Sequence, residues 1–161
     1  MRVLTSLLLT LAPVGAEAVL LTRWDKLTPA PALMLEGQPA LHWPEPATQV
    51  TVNALGTPTD WSRFKCLRFA MHSARAVPTT LTLVMESQNP ASEGIDYFTY
   101  TFKADYQGWR EHVLPLAMVG KARQPLGWDK IGKVYLSSNW AHVPIDPGTE
   151  LHFGPFVLDT E

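Results

Sequence analysis

Short stretches rich in β-branched and aromatic residues, separated by proline, glycine and asparagine, make up most of this sequence. The 161 residues include 14 Pro and 10 Gly, and both residue types interrupt helices and mark turns. The stretches between them have the length of strands, and none is long enough for an amphipathic helix. The predicted strands cover residues 33–36, 49–52, 66–72, 79–86, 97–103, 109–116, 133–138 and 150–158. The pattern predicts an all-β sandwich or barrel, with short helical turns at most, at 115–121 and 128–131.

The first eighteen residues have the three parts of a secretory signal. Arg2 supplies a positive start, residues 3–11 form a short apolar core, and Ala16-Glu17-Ala18 is a small-x-small cleavage site. The apolar run is far shorter than the ~20 residues of a spanning helix, and Pro13 interrupts it. We therefore expect 1–18 to be a signal peptide and 19–161 to form a single domain. The protein is then exported, to the periplasm or the extracellular space, and its mature form has no membrane span.

The charge balance excludes one class of partner. The chain has 13 Lys and Arg against 15 Asp and Glu, which gives a net charge of −2. A nucleic-acid backbone normally calls for a basic stripe on the protein. We therefore expect no nucleic-acid partner.

The histidines and the single cysteine carry no recognisable motif. The five histidines show no His-x-x-x-His or His-Glu-x-x-His spacing, so spacing does not indicate a histidine metal centre. Cys66 lies in a stretch where apolar and polar residues alternate. It is predicted to be a packed, unreactive thiol in a strand.

Alternation also assigns the two faces of four predicted strands. In 67–72, 81–86, 97–103 and 133–139 every second residue is apolar and faces the core. If the four strands are neighbours, their remaining side chains share one outer face. This predicted polar face comprises Arg68, His72, Glu86, Tyr97, Thr99, Tyr135, Ser137 and Asn139.

Such a face suits a sugar. Aromatic rings stack on the apolar side of a pyranose, and Arg, Glu and Asn side chains bond its hydroxyls. The alternative is an ordinary polar face of an antiparallel sheet, or a face covered by a partner domain.

The six tryptophans differ in context. Trp61, Trp109 and Trp128 begin a strand or a turn and are predicted to be core or corner residues. Trp140 follows a strand into a loop. From this position its ring is equally suited to stack on a ligand or to pack against the protein. Trp43, in a proline-rich segment, is the other candidate for an exposed ring. The candidate carbohydrate-binding residues are Arg68, His72, Glu86, Tyr97, Tyr135, Asn139 and Trp140.

Several short motifs occur in an order that resembles a known superfamily. Asp60-Trp61-Ser62-Arg63-Phe64 comes first, Gly108-Trp109-Arg110-Glu111 leads to Leu114-Pro115-Leu116, and Gly127-Trp128-Asp129-Lys130-Ile131 precedes Val134-Tyr135-Leu136-Ser137. In this order the chain resembles the galactose-binding-like jelly roll. It is most similar to the carbohydrate-binding modules and N-terminal β-sandwich domains of polysaccharide lyases and glycoside hydrolases. The resemblance covers about residues 30–161.

The resemblance implies a two-sheet antiparallel β-sandwich that binds a glycan, on a concave face or at loop tips, without catalysing a reaction. It also implies one structural calcium ion, for which Asp25, Asp159 and Glu36 are the candidate oxygen donors, although the sequence has no Asp-x-Asp-x-Asp-Gly loop. Such modules usually accompany a catalytic domain. The chain is therefore expected to be either a free-standing exported binder or part of a larger enzyme.

Two other functions stay open. A glycosidase needs two carboxylates beside the scissile bond, and a lyase needs a base such as Tyr, His or Lys. Glu86, Asp96, Tyr97 and His72 are of the right types, but no motif orders them. A protein-interaction sandwich that docks onto an assembly partner would instead need an exposed apolar patch.

Overall fold

The computed structural model describes residues 18–161 and contains two antiparallel sheets. The predicted signal peptide, apart from Ala18, lies outside the described residues. Two short 3₁₀ turns, Leu116–Met118 and Trp128–Lys130, fall in the two places where helical turns were expected. The strands are β1 Val19–Leu21, β2 Thr28–Leu35, β3 Gln38–Trp43, β4 Thr51–Asn53, β5 Cys66–Ser73, β6 Thr80–Glu86, β7 Tyr97–Lys103, β8 Gly108–Pro115, β9 Gly120–Ala122, β10 Lys133–Ser137, β11 Leu151–Phe153 and β12 Phe156–Asp159. Within the described range, no helix has the length and hydrophobicity needed to cross a membrane.

Strand β5 is the centre of the seven-stranded sheet. Its whole length pairs with β8 on one side. On the other side β12 pairs with residues 66–68 and β11 with residues 71–73, so these two short strands lie end to end. Strand β1 then pairs with β12, β3 with β11, and β2 with β3. The second sheet has five strands in the order β4-β10-β6-β7-β9.

The core lies between the two sheets, where the alternating apolar residues meet. Leu67, Phe69 and Met71 of β5 are almost completely buried, as are Leu83 and Met85 of β6. Strands β7 and β10 contribute Phe98, Phe102, Val134 and Leu136 to the same cluster. The inward faces predicted for these four strands are confirmed, and the predicted two-sheet antiparallel β-sandwich is the observed fold.

The strand predictions differ from the structure in two ways: one predicted strand is divided, and strands β1, β3 and β9 were not predicted. The predicted strand 150–158 is two strands, because Pro155 has no N–H to donate to a neighbouring strand and the chain shifts at Gly154. The Gly154 N–H instead donates to the Ala70 carbonyl at 2.9 Å. Strand β3 was missed, since its Pro39 and the proline-rich segment after it read as loop.

Candidate functional site

Three aromatic side chains gather on the outer face of the five-stranded sheet. Tyr97 of β7 and Tyr135 of β10 point away from the core, and Trp140 follows β10. The Trp140 ring lies 5.0 Å from the Tyr97 ring, nearly perpendicular to it, and 6.2 Å from the Tyr135 ring. Tyr135 is 6% exposed, whereas Tyr97 and Trp140 are half-buried. We call this cluster of Tyr97, Tyr135 and Trp140 the aromatic face.

The segment that carries Trp140 is held at its start by hydrogen bonds. The Ser138 hydroxyl donates to the Pro46 carbonyl at 2.5 Å, and the Ser138 N–H donates to the Val50 carbonyl at 3.0 Å. A turn follows in which the His142 N–H donates to the Asn139 carbonyl at 3.1 Å. This turn contains Trp140, whose ring contacts both tyrosines.

Polar groups border the aromatic face on two adjoining strands. Glu86 of β6 pairs in register with Tyr97 on one side and with Lys133 of β10 on the other. The Lys133 ammonium lies 4.9 Å from the centre of the Tyr135 ring, a cation–π contact. Burial, and after it the negative charge of Glu86 and its hydrogen bond with the Tyr135 hydroxyl, raise the pKa of Tyr135 above its ordinary value. The site therefore has one carboxylate, one ammonium and the neutral phenol of Tyr135. Of these, Lys133 was not among the residues predicted from the sequence.

The prediction that all candidate binding residues share one face is wrong for Arg68 and His72. Both lie on β5, which belongs to the seven-stranded sheet, so their outer face is on the opposite side of the sandwich from Glu86 and Tyr97. Arg68 is also engaged, because its guanidinium forms a salt bridge with the buried Asp159 carboxylate. The structure brings together Glu86, Tyr97, Tyr135 and Trp140, with the exposed Asn139 at the start of the same turn.

The outer face of the seven-stranded sheet carries a different cluster. His42 of β3, His152 of β11 and His72 of β5 stand directly opposite one another on three neighbouring strands. We call these three side chains the histidine row. The His42 and His152 rings stack with centres 4.6 Å apart, and the His72 ring lies 5.9 Å from His152. Burial lowers the pKa of both His72 and His152. Spacing in sequence could not reveal this cluster, because sheet pairing alone brings the rings together.

Tryptophan placement differs from expectation at two positions. Trp43 is fully buried, and its indole N–H donates to the Gln49 carbonyl at 3.0 Å, so it is not the predicted exposed ring. Trp109, predicted to be a core or corner residue, is half-buried on the outer face of β8, where its ring lies 5.3 Å from that of His72. Trp61 and Trp128 have the expected structural role. Their rings stack 6.1 Å apart, and Trp128 also stacks on Phe98.

The four residues considered for catalysis do not form one site. His72 lies on the other sheet from Glu86, Asp96 and Tyr97. The Asp96 side chain is buried and accepts hydrogen bonds from the Ser92 hydroxyl, the Gln124 N–H and the Asn89 N–H. These bonds lower the pKa of Asp96. Asp96 thus fastens the loop before β7 through these hydrogen bonds.

Asp25 and Asp159, two of the carboxylates considered for calcium, are engaged by other groups of the protein. Both Asp25 oxygens accept hydrogen bonds from Asn53, at 2.8 and 2.7 Å. Asp159 is engaged by Arg68 and by the Glu161 N–H. Calcium requires six to eight oxygen ligands. Within residues 18–161, neither aspartate nor Glu36 belongs to a group of three or more His, Cys, Asp or Glu side chains close enough to hold an ion together.

A shallow groove of about 560 Å³ runs between β7 and β8, at the edge where the two sheets separate. Tyr100 and the buried His112 line it, and the Tyr100 hydroxyl lies 3.4 Å from His112 Nδ1. Arg110 stands beside it, stacked on the Tyr106 ring at 3.8 Å. The groove is lined mainly by charged and polar groups, so it is not an apolar docking surface.

Comparison with known proteins identifies relatives in structure but not in sequence. No protein-family model matches the chain, and no curated protein matches it significantly in sequence. A solved family 30 carbohydrate-binding module has a TM-score of 0.63 and 14% identity, over 88% of this chain and 78% of that chain. The family 30 module of a Clostridium thermocellum cellulosomal cellulase has a TM-score of 0.53 and 14% identity, over 88% of each chain. A family 11 module from Clostridium thermocellum, solved with a β-1,3-1,4-mixed-linked tetrasaccharide, has a TM-score of 0.52 and 10% identity, over 91% of this chain and 89% of that chain. The predicted resemblance to carbohydrate-binding modules is confirmed at the level of the fold.

Proposed function

We propose that this chain is an exported, non-catalytic module that binds a polysaccharide or oligosaccharide on its aromatic face. The observation that carries the proposal is the Trp140 ring, which packs against Tyr97 and Tyr135 and keeps part of its surface open to solvent. A ring fixed by neighbours loses little conformational freedom when a ligand stacks on it, which favours binding. The fold shared with carbohydrate-binding modules supports the same conclusion.

The chemistry around the ring matches the two sides of a sugar. The open part of Trp140 and the Tyr97 ring offer apolar surface to the C–H side of a pyranose. Glu86 and Lys133, which pair in register, and Asn139 at the rim offer hydrogen-bond acceptors and donors to its hydroxyls. The charges of Glu86 and Lys133 cancel, so the face suits a neutral glycan better than a polyanion.

A role beside a degrading enzyme extends the same proposal. A module that only holds its ligand gains function by keeping a catalytic domain or a partner enzyme near a polysaccharide, since tethering raises the effective concentration. The signal-like residues 1–18 support export. Export fits this role, because the polysaccharides that such enzymes degrade lie outside the cell. The protein-interaction role is the competing proposal, in which the aromatic face meets another protein.

Replacing Trp140 with alanine is expected to weaken glycan binding by about tenfold or more, equal to about 1.4 kcal/mol, because a stacked aromatic anchor is lost. Affinity gel electrophoresis measures this, using gels that contain a β-1,3-1,4-mixed-linkage glucan, other neutral polysaccharides or uronate-containing polysaccharides. Trp109→Ala is the matched control. It removes a half-buried tryptophan from the other sheet and should leave retardation unchanged.

Three results would contradict the proposal. The first is wild-type protein that migrates freely in every gel. The second is equal loss of binding in Trp140→Ala and Trp109→Ala, which would place the ligand elsewhere. The third is new reducing ends or unsaturated products after incubation with these glycans, which would indicate an enzyme. Near-UV circular dichroism of each variant confirms that the fold is retained.

A further inference from the structure

We propose that His42, Glu150 and His152 form a binding site for a divalent transition-metal ion, best matched by Zn²⁺, on the outer face of the seven-stranded sheet. One ligand atom from each side chain lies within 4.8 Å of the other two. The site is on the opposite side of the sandwich from the aromatic face. It is therefore independent of the proposed glycan function.

Sheet geometry places the three groups together. His42 and His152 occupy directly opposed positions on the antiparallel strands β3 and β11. Glu150 and His152 are two residues apart, so they project from the same face of the chain as it enters β11. Two strands thus supply two imidazoles and one carboxylate to a single point on the surface.

A second observation comes from the hydrogen bonds of the histidine row. His152 is only 9% exposed, and its buried Nδ1 has no hydrogen-bond partner among the described residues. The buried Nδ1 of His72, on the next strand, is unpartnered in the same way. A buried nitrogen without a hydrogen-bond partner destabilises the folded state, because it has lost its bond to water. A metal ion coordinated by Nδ1 of His152 would remove that cost.

The donor set selects the kind of ion. Imidazole nitrogen with one carboxylate oxygen suits Zn²⁺, Cu²⁺ and Ni²⁺, whereas calcium prefers an all-oxygen shell. Two histidines and one glutamate are a known zinc donor set that leaves the fourth position open. Zinc bonds of about 2.0–2.2 Å bring tetrahedral ligand atoms to roughly 3.3 Å from each other. Side-chain rotation must therefore draw the three groups together by about 1.5 Å at most, which the exposed Glu150 and half-buried His42 allow.

The bound ion would link β3 to β11. These strands are far apart in sequence and are hydrogen-bonded neighbours in the sheet, with β11 next to β5. An ion that binds only the folded state stabilises it by mass action. Zinc binding should therefore raise the melting temperature of the protein, in addition to showing one bound ion per chain.

The test uses the full chain without a histidine tag, freed of metal by a chelator that is then removed. Titration with Zn²⁺ against a chromophoric competitor should show one ion per chain, and added Zn²⁺ should raise the melting temperature. His42→Ala and Glu150→Gln should each weaken binding by at least about tenfold, since even the loss of a residue that only orients a metal ligand costs tenfold or more. His142→Ala is the matched control, because it removes an exposed histidine outside the row.

Two outcomes would overturn the proposal. One is wild-type protein that takes up no more Zn²⁺, Cu²⁺ or Ni²⁺ than His42→Ala. The other is an affinity for Zn²⁺ that falls equally in His142→Ala, His42→Ala and Glu150→Gln. That result would indicate binding scattered over the surface. Glu150→Gln keeps the test valid if His42→Ala fails to fold, since Glu150 is exposed and of nearly equal size to glutamine. Glycan binding by Trp140→Ala and wild type, measured in chelator, reports separately on the proposed function.

Discussion

Replacing Trp43 with alanine is expected to lower the free energy of unfolding by about 3–5 kcal/mol. The side chain is fully buried on β3, its ring lies 6.4 Å from that of Phe153, and its indole N–H bonds the Gln49 carbonyl. Alanine would leave a large cavity between the sheets and a carbonyl without its donor. A domain of this kind has about 5–15 kcal/mol of stability in total, so the variant should be close to unfolding at physiological temperature.

Urea denaturation followed by circular dichroism measures this loss. Trp43→Phe is the graded variant, since it keeps an aromatic ring but loses the bond to Gln49, and its loss should be the smaller of the two. Met118→Ala is the surface control: Met118 is 82% exposed, so its effect should stay within about 0.5 kcal/mol. If Trp43→Ala were as stable as Met118→Ala, Trp43 could not be a core residue.

Acidification is expected to destabilise the fold through His112. Burial, with a smaller contribution from the nearby Arg110 charge, lowers the pKa of His112 from 6.5 to about 4. Because its pKa is lower in the folded state, the unfolded chain binds the proton more tightly. The stabilisation is therefore complete above pH 6.5 and is lost as the pH falls toward 4. The loss from this one residue should reach about 3 kcal/mol at pH 4.

Urea unfolding at a series of pH values, in the presence of a chelator, tests this dependence. His112→Phe keeps an aromatic ring to stack on Phe69, 4.9 Å from the histidine ring, and cannot be protonated. The difference between the two pH profiles isolates His112, because the other titrating groups are present in both proteins. His142→Ala should follow the wild-type profile. Parallel profiles for wild type and His112→Phe would show that His112 does not carry the effect.

Local patterns in the sequence were sufficient for the longer strands β5, β6, β7, β8 and β10 and for the inward faces of four of them. Alternation in β5, β6, β7 and β10 placed Leu67, Leu83, Phe98 and Val134 toward the core, as observed. Side-chain period is a local property of a strand, so it can be read from one segment alone.

Neighbour relations between strands were not predictable in the same way. The alternation of apolar and polar residues assigns a face to each strand, but it does not show which sheet the strand joins. Arg68 and His72 were therefore grouped with residues on the other side of the sandwich. The histidine row was missed for the same reason, since His42 and His152 are 110 positions apart and meet only through strand pairing. Trp43 was misplaced because prolines on either side hid the strand that buries it.

The pairing of β1 and β5 with β12 also dictates when the chain can fold. Val19 pairs with Leu158, and Cys66 pairs with Asp159, so the larger sheet joins segments from both ends of the described chain. Such long-range pairings form slowly, because a large loop must close before they contribute stability. The larger sheet cannot be completed during synthesis until residue 159 has left the ribosome. Until that point β1 and the first three residues of β5 lack their β12 partner, so their backbone N–H and C=O groups on that side must be satisfied by water or by other partners.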